Sequence, residues 1–201
     1  MESIKPNLKP HQMKTLSFKM LFVMVCTTLM ACGGSTGKQP ATADGFADIE
    51  SDIKSEFGSD AYFTDLTITY NKSIGNIIGV TVTDDPSTLK MGQWNQTQGT
   101  WNQTSEISLE VPQGTKAEDY MFQLNETISL STLGALAEKS SEKLTADKKV
   151  EHPTLSMAFV KFPKNGDVSK TEYTVMLQPE HGGTTFTFRY DLNGELIKMD
   201  Y

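Results

Sequence analysis

Apolar residues recur at every second position in several stretches of this chain, and that period sets its class. In "YFTDLTITY" (residues 62–70) Leu66, Ile68 and Tyr70 fall on one face of an extended strand. "NIIGVTVTDDP" does the same with Ile78, Val80 and Val82 and stops at Pro86. "TTFTFRY" alternates Phe186, Phe188 and Tyr190 and then turns at Asn193-Gly194, a strong hairpin signal. "TLSMAFVKFPKNG" and "KTEYTVMLQPEHGG" read as further strands that end at Pro163 and Pro179. Only two segments carry the helical period. Phe46, Ile49, Ile53 and Phe57 form one stripe, with Gly58 placed for a C-terminal cap; Leu133, Leu136, Ala137 and Leu144 form the other. Segments that alternate cleanly belong to an antiparallel sheet with one face covered. The expected class is α+β, an antiparallel sheet with helices on one face.

The order helix, strand, strand, hairpin occurs twice along the chain. Residues 45–128 are expected to form a first α-β-β-β unit, and residues 129–201 a second. Setting the halves side by side explains the tandem motif "WNQTQGTWNQT" (94–104). It falls opposite "YDLNGEL", so Gln98-Gly99 is the expected two-residue turn. Thr97 then pairs with Thr100 and Gln96 with Trp101, and the two indoles become diagonal neighbours on one face. Whether that face is core or contact surface stays open at this level. If it is contact surface, Trp94, Asn95, Trp101 and Asn102 are the candidate ligand-binding residues, indoles supplying area and amides supplying hydrogen bonds.

Tyr173 to Met199 reads "YxVxLxxxxGGxxFxxxYDxNGELIKM", an aromatic before D-x-N-G-E-L at the end of an α-β-β-β unit. This resembles the PepSY-like family of exported bacterial domains and, in architecture, the tandem repeat of the β-lactamase inhibitory protein. The resemblance covers the second half better than the first. It implies a non-enzymatic exported domain that binds or inhibits other proteins, and it carries no functional residue onto this chain.

The N-terminal region has the order of a secretory signal. From Met13 the chain runs "MKTLSFKMLFVMVCTTLMACGGSTGK", with Lys14 and Lys19 ahead of an apolar stretch from Met20 to Leu29 and a small residue, Ala31, before Cys32. The start is either Met1, with a long leading region, or Met13. Leu29-Met30-Ala31-Cys32 resembles the lipobox of bacterial lipoproteins. That resemblance implies a leader of residues 1–31, cleavage before Cys32 and acylation of Cys32; Gly33 in place of an aspartate implies the outer membrane, and the lack of an acidic cluster after Cys32 points to its periplasmic side. Residues 32–44, rich in small and polar types, are expected to be the lipidated cysteine and a flexible tether of roughly 40 Å when extended.

Composition narrows the function. Without residues 1–31 the chain has 14 basic and 24 acidic residues, a net charge of −10, and Arg189 is its one arginine. Nucleic acid binding needs clustered lysine and arginine, so nucleic acid is not an expected partner. No cysteine follows Cys32, which removes disulfides, thiol nucleophiles and thiolate metal sites. His152 and His181 stand apart with no paired-histidine spacing, and neither a nucleophile elbow nor a phosphate-binding glycine loop occurs. The expectation is no enzyme, no cofactor and no metal. The chain reads as a membrane-anchored binding module for an envelope protein, of inhibitor or immunity type. A carbohydrate- or peptidoglycan-contacting protein, or a scaffold lipoprotein, is the alternative.

Overall fold

The structure is a computed structural model and describes residues 37–201. The leader and Cys32 lie outside the described residues. Helix α1 (Ala43–Phe57) is followed by strands β1 (Tyr62–Asn71), β2 (Gly75–Thr83), β3 (Lys90–Thr97) and β4 (Thr100–Ser108). Helix α2 (Leu130–Lys148) is followed by β5 (Thr154–Lys161), β6 (Glu172–Gln178), β7 (Phe186–Tyr190) and β8 (Leu196–Asp200). Each helix thus precedes four strands, the last two being the hairpin that closes the expected order of helix, strand, strand, hairpin. All eight strands join in one antiparallel sheet of order β4-β3-β2-β1-β5-β6-β7-β8. The seam is the pairing of β1 with β5, where Ile68 faces Ala158.

One row of side chains across that sheet explains the core. Trp101, Gln96, Ile78, Ile68, Ala158, Val175, Phe188 and Met199 are successive cross-strand partners. The apolar members of this face and both helix stripes belong to one core cluster, so both helices cover the same side. Phe46, Ile49, Ile53, Leu133, Leu136, Ala137 and Leu144 are all buried, as their spacing requires. Ser140 lies on the same stripe of α2 and is fully buried. Its hydroxyl donates to the Leu136 carbonyl (2.7 Å) and shares a second hydrogen bond with the Tyr190 hydroxyl (2.7 Å).

The two helices run antiparallel and touch at backbone distance. A Cβ on Gly134 would stand 2.2 Å from the Thr42 carbonyl oxygen and 2.9 Å from the Phe46 Cβ, so only glycine permits this approach. The antiparallel arrangement also lets each helix supply a carboxylate to the other's N-terminus. Glu50 of α1 accepts from the Leu130 N–H (2.7 Å), and Glu138 of α2 accepts from the Ala43 N–H (3.0 Å). These bonds satisfy first-turn donors that have no partner inside their own helix, with favourable charge against the helix dipole. Thr42 and Ser129 cap the same termini through their side chains. At the other end of α1, Gly58 takes φ 95° with an extended ψ of 153°, not the left-handed cap, and its N–H still bonds to the Lys54 carbonyl.

Residues 37–42 correct the expectation of a free tether. The Asn76 N–H donates to the Gly37 carbonyl, and the buried Asn76 amide donates to the Gln39 carbonyl (2.8 Å). A Cβ on Gly75 would stand 2.1 Å from the Gly37 oxygen, and one on Gly37 would meet the Gln98 backbone at 3.3 Å. The chain therefore passes against the β1–β2 and β3–β4 turns before entering α1 at Ala43.

Two outcomes follow. Gly134→Ala should cost about 1–3 kcal/mol by overpacking against backbone, outweighing the roughly 1 kcal/mol that alanine gains in helix propensity. A lowered thermal midpoint by circular dichroism checks it. Burial raises the phenol pKa of both Tyr173 and Tyr190; the Ser129 N–H at Tyr173 and the Ser140 hydroxyl at Tyr190 oppose it. The folded state thus prefers the neutral phenols. Their contribution is complete below pH about 10, the unfolded value, and is lost as pH climbs from there through the raised folded values. Tyr190→Phe should shift the alkaline unfolding midpoint upward while costing about 0.5–1.5 kcal/mol at neutral pH.

Candidate functional site

The tryptophan hairpin forms with the expected register. Thr97 pairs with Thr100, Gln96 with Trp101 and Asn95 with Asn102. Gln98 (φ 52°) and Gly99 (φ 77°) both take positive φ, as a two-residue turn matched to the strand twist demands. The same unbroken register sets Trp94 opposite Gln103, the shift coming only beyond it at Gln93, so both indoles point to the helix side. There Phe57 of α1 meets them edge to face, with centroids 5.5 Å from Trp94 and 4.9 Å from Trp101. Both tryptophans are half-buried at the margin of the core.

Asn95 and Asn102 lie on the opposite face and are exposed. The four candidate residues therefore do not share one surface. The indoles extend the core beneath α1, and the amides belong to the uncovered side of the sheet. The physical reason is the period of two: residues adjacent along a strand cannot point the same way. Trp94 also lines a groove of about 390 Å³ with Phe57, Val82 and the polar side chains of Glu56, Asp84, Lys90, Gln103 and Glu106. Gly92 forms part of that groove because a Cβ there would stand 2.4 Å from the Trp94 Nε1.

The uncovered face is the larger feature. Its central rows run Thr97, Ile77, Thr69, Met157, Met176, Thr187 and, beside them, Asn95, Gly79, Thr67, Phe159, Thr174, Arg189. Met157, Phe159 and Met176 form an apolar strip on β5 and β6 that Thr69 of β1 separates from Ile77 on β2; all four are half-buried, with threonines and asparagines around and between them. Within the strip Thr174 is 2 % exposed, and its hydroxyl has no hydrogen-bond partner. Toward the end of β1 where it starts, Asp65 reaches solvent. Desolvation by its neighbours nevertheless raises its carboxyl pKa, with a hydrogen bond from Thr67 opposing the shift. The Lys161–Glu172 ion pair (3.0 Å) links β5 to β6 at the same end. There the segment from Leu109 to Met121 folds back, and Met91, Ala117 and Met121 form a small separate cluster with Tyr62, Leu89, Ile107 and Leu109. The rest of the face has no element over it among the described residues.

Sequence reasoning passed over Ile77, Met157, Phe159 and Met176, although a signal was present. In β5, Met157 and Phe159 alternate against Ala158 and Val160, so both parities are apolar. Ile77 beside Ile78 and Met176 between Val175 and Leu177 repeat the pattern. A strand apolar on both faces needs cover on both. His152 and His181 are exposed and stand on separate loops.

Because the indoles serve the core, Trp101→Ala should lower stability through loss of the Phe57 pair, about 0.5–1.5 kcal/mol beyond the area term. Urea unfolding measures it. Iodide should quench the tryptophan fluorescence of the native protein only partly, and far more after unfolding.

No protein-family model matches the chain, and no curated protein matches it. Among solved structures, a protein from Clostridium difficile 630, provisionally classed as a lipoprotein, aligns over 76 % of this chain and 90 % of its own at 13 % identity and a TM-score of 0.46. A likeness that distant carries no statement about fold or function.

Proposed function

We propose that this chain is a lipid-anchored protein of the bacterial envelope, without catalytic machinery, that presents the uncovered face of its sheet to a protein partner. The anchor reading rests on the leader pattern and on the lipobox resemblance at Cys32. Two or more acyl chains hold a protein stably to a bilayer, whereas one does so marginally. Among the described residues no helix is long and apolar enough to cross a membrane. The outer membrane, with the domain on its periplasmic side, is the finer form of this reading.

The observation that carries the contact role is the strip of Met157, Phe159 and Met176, with Ile77 beyond Thr69 and polar side chains around them. An apolar centre ringed by hydrogen-bonding side chains is how protein interfaces are built. Methionine is suited to it, since an unbranched thioether repacks against varied partners. The strands that carry the strip are pinned from behind by Val175, Ala158 and Ile68, buried in the core, so little backbone order has to be gained on binding.

A photo-crosslinking amino acid at Phe159, in cells that make the native chain, should give a discrete adduct of higher mass. The same group at Glu142, exposed on the far side of α2, should not. Met157→Lys should abolish the Phe159 adduct while leaving the unfolding free energy within about 0.5 kcal/mol of the parent, as substitutions on an uncovered face commonly do. Adducts of equal yield from both positions would remove the contact role from this face. Mass spectrometry of the mature N-terminus tests the anchor independently.

A further inference from the structure

We infer that the end of the sheet carrying the β1–β2, β3–β4 and β6–β7 turns is held against the lipid surface, and that the opposite end points away from it. The inference rests on the anchor reading above and adds an orientation to it.

The argument is one of chain length. An anchor at Cys32 is separated from Gly37 by residues 33–36. Five residue steps reach at most roughly 17 Å, whatever conformation they take. Gly37 is not free to move away from the body. It is buried, its carbonyl accepts from the Asn76 N–H, and it packs against the Gln98 backbone. Asn76, 2 % exposed, grips the next stretch through the Gln39 carbonyl. The strap ends in the Thr42 cap of α1, whose carbonyl is packed under Gly134. So the point where the anchor meets the folded body is the edge of Gly75 and Gln98, not the start of a loose linker.

The register puts the other turns at the same end. Asn71 pairs with Gly75, Ile77 with Thr97, Thr69 with Met157, and Leu177 with Phe186. The β1–β2 turn, Gln98-Gly99 and the Pro179–Gly183 loop therefore project together, and Lys72 ties the first to the last through the Glu180 carbonyl. The chemistry of this end suits a headgroup layer and not the hydrocarbon. Lys72, Ser73, Gln98, Glu180 and His181 are exposed there. A ten-residue strand such as β1 is about 33 Å long. The Asn193-Gly194 turn, the Trp94 groove and the 109–121 segment, all at the other end, consequently stand roughly that far out. The uncovered face lies along the side, open to a partner approaching parallel to the membrane.

Two single-cysteine variants of the full chain test this, Ser73→Cys at the near end and Asn193→Cys at the far end. Each is labelled with bimane after native processing and reconstituted in phosphatidylcholine vesicles containing a headgroup-nitroxide lipid. Quenching should be several-fold stronger at position 73 than at 193. A flexible Gly/Ser insertion after Thr36 should remove most of that difference without altering the thermal midpoint. Equal quenching at the two sites, or stronger quenching at 193, in a chain that floats with the vesicles overturns the orientation alone. A chain that does not float, and whose Cys32 takes the bimane label, overturns the anchor reading and the orientation with it.

Discussion

Everything in this architecture depends on two helices meeting at backbone distance over one face of an eight-stranded sheet. Gly134 lets the Thr42 carbonyl lie against α2. The antiparallel contact then places Glu50 and Glu138 at each other's helix N-termini. This pairing does two things together. It fills first-turn donors that have no partner inside their own helix, and it fixes the sliding register of the helices. With that register set, Phe57 arrives over Trp94 and Trp101 at one margin and Ser140 over Tyr190 at the other. Both outer regions of the sheet are thereby tied to the same helix layer.

A sheet of eight strands is wider than two helices can shield from both sides, and the described residues supply no second layer of comparable size. The 109–121 segment covers only the corner around Met91. What is left is a face whose threonines and asparagines satisfy solvent, interrupted at the centre by Ile77, Met157, Phe159 and Met176. Thr174 shows the cost of that centre. Its hydroxyl is buried between Phe159 and Arg189 in the cross-strand row, without a partner, on the side of the sheet that has no core. Large flanking side chains on an uncovered face have cost this hydroxyl its hydration.

The fold was largely legible in the sequence because period and burial agree along most elements. Leu66 and Ile68, Ile78 to Val82, Phe186 to Tyr190, and both helix stripes lie where their spacing puts them. The Gln98-Gly99 turn was legible because the tandem motif falls opposite "YDLNGEL" and Gly99 takes positive φ freely, although Gln98 at φ 52° is not a residue that signals one. Less was legible wherever a residue's role depends on a distant partner. Nothing near Asn76 in sequence says that it holds Gln39, and a Gly/Ser/Pro composition looks the same whether the segment is loose or strapped. The tryptophan motif was ambiguous for the same reason, since the side its indoles take is decided by Phe57 on a helix far back in the chain. The uncovered strip was written in β5 as two apolar parities, yet alternation was read on one parity alone.

The strap changes what the anchor means. A long loose linker would let the domain sample every orientation, and a partner would meet its uncovered face only in a fraction of encounters. On the proposed anchor at Cys32, with the chain docked from Gly37 onward, at most roughly 17 Å separates the lipid from the body, which keeps the turn-bearing end near the bilayer. Restricting orientation before contact lowers the entropy lost on binding, and it does so without any added contact to the partner. The acidic surplus of the body acts in the same sense. A net negative domain gains nothing by lying flat on anionic lipid, so repulsion favours the upright arrangement that the strap permits. On the proposed reading, anchor, strap and charge act together to hold the uncovered face side-on to a partner that approaches parallel to the membrane.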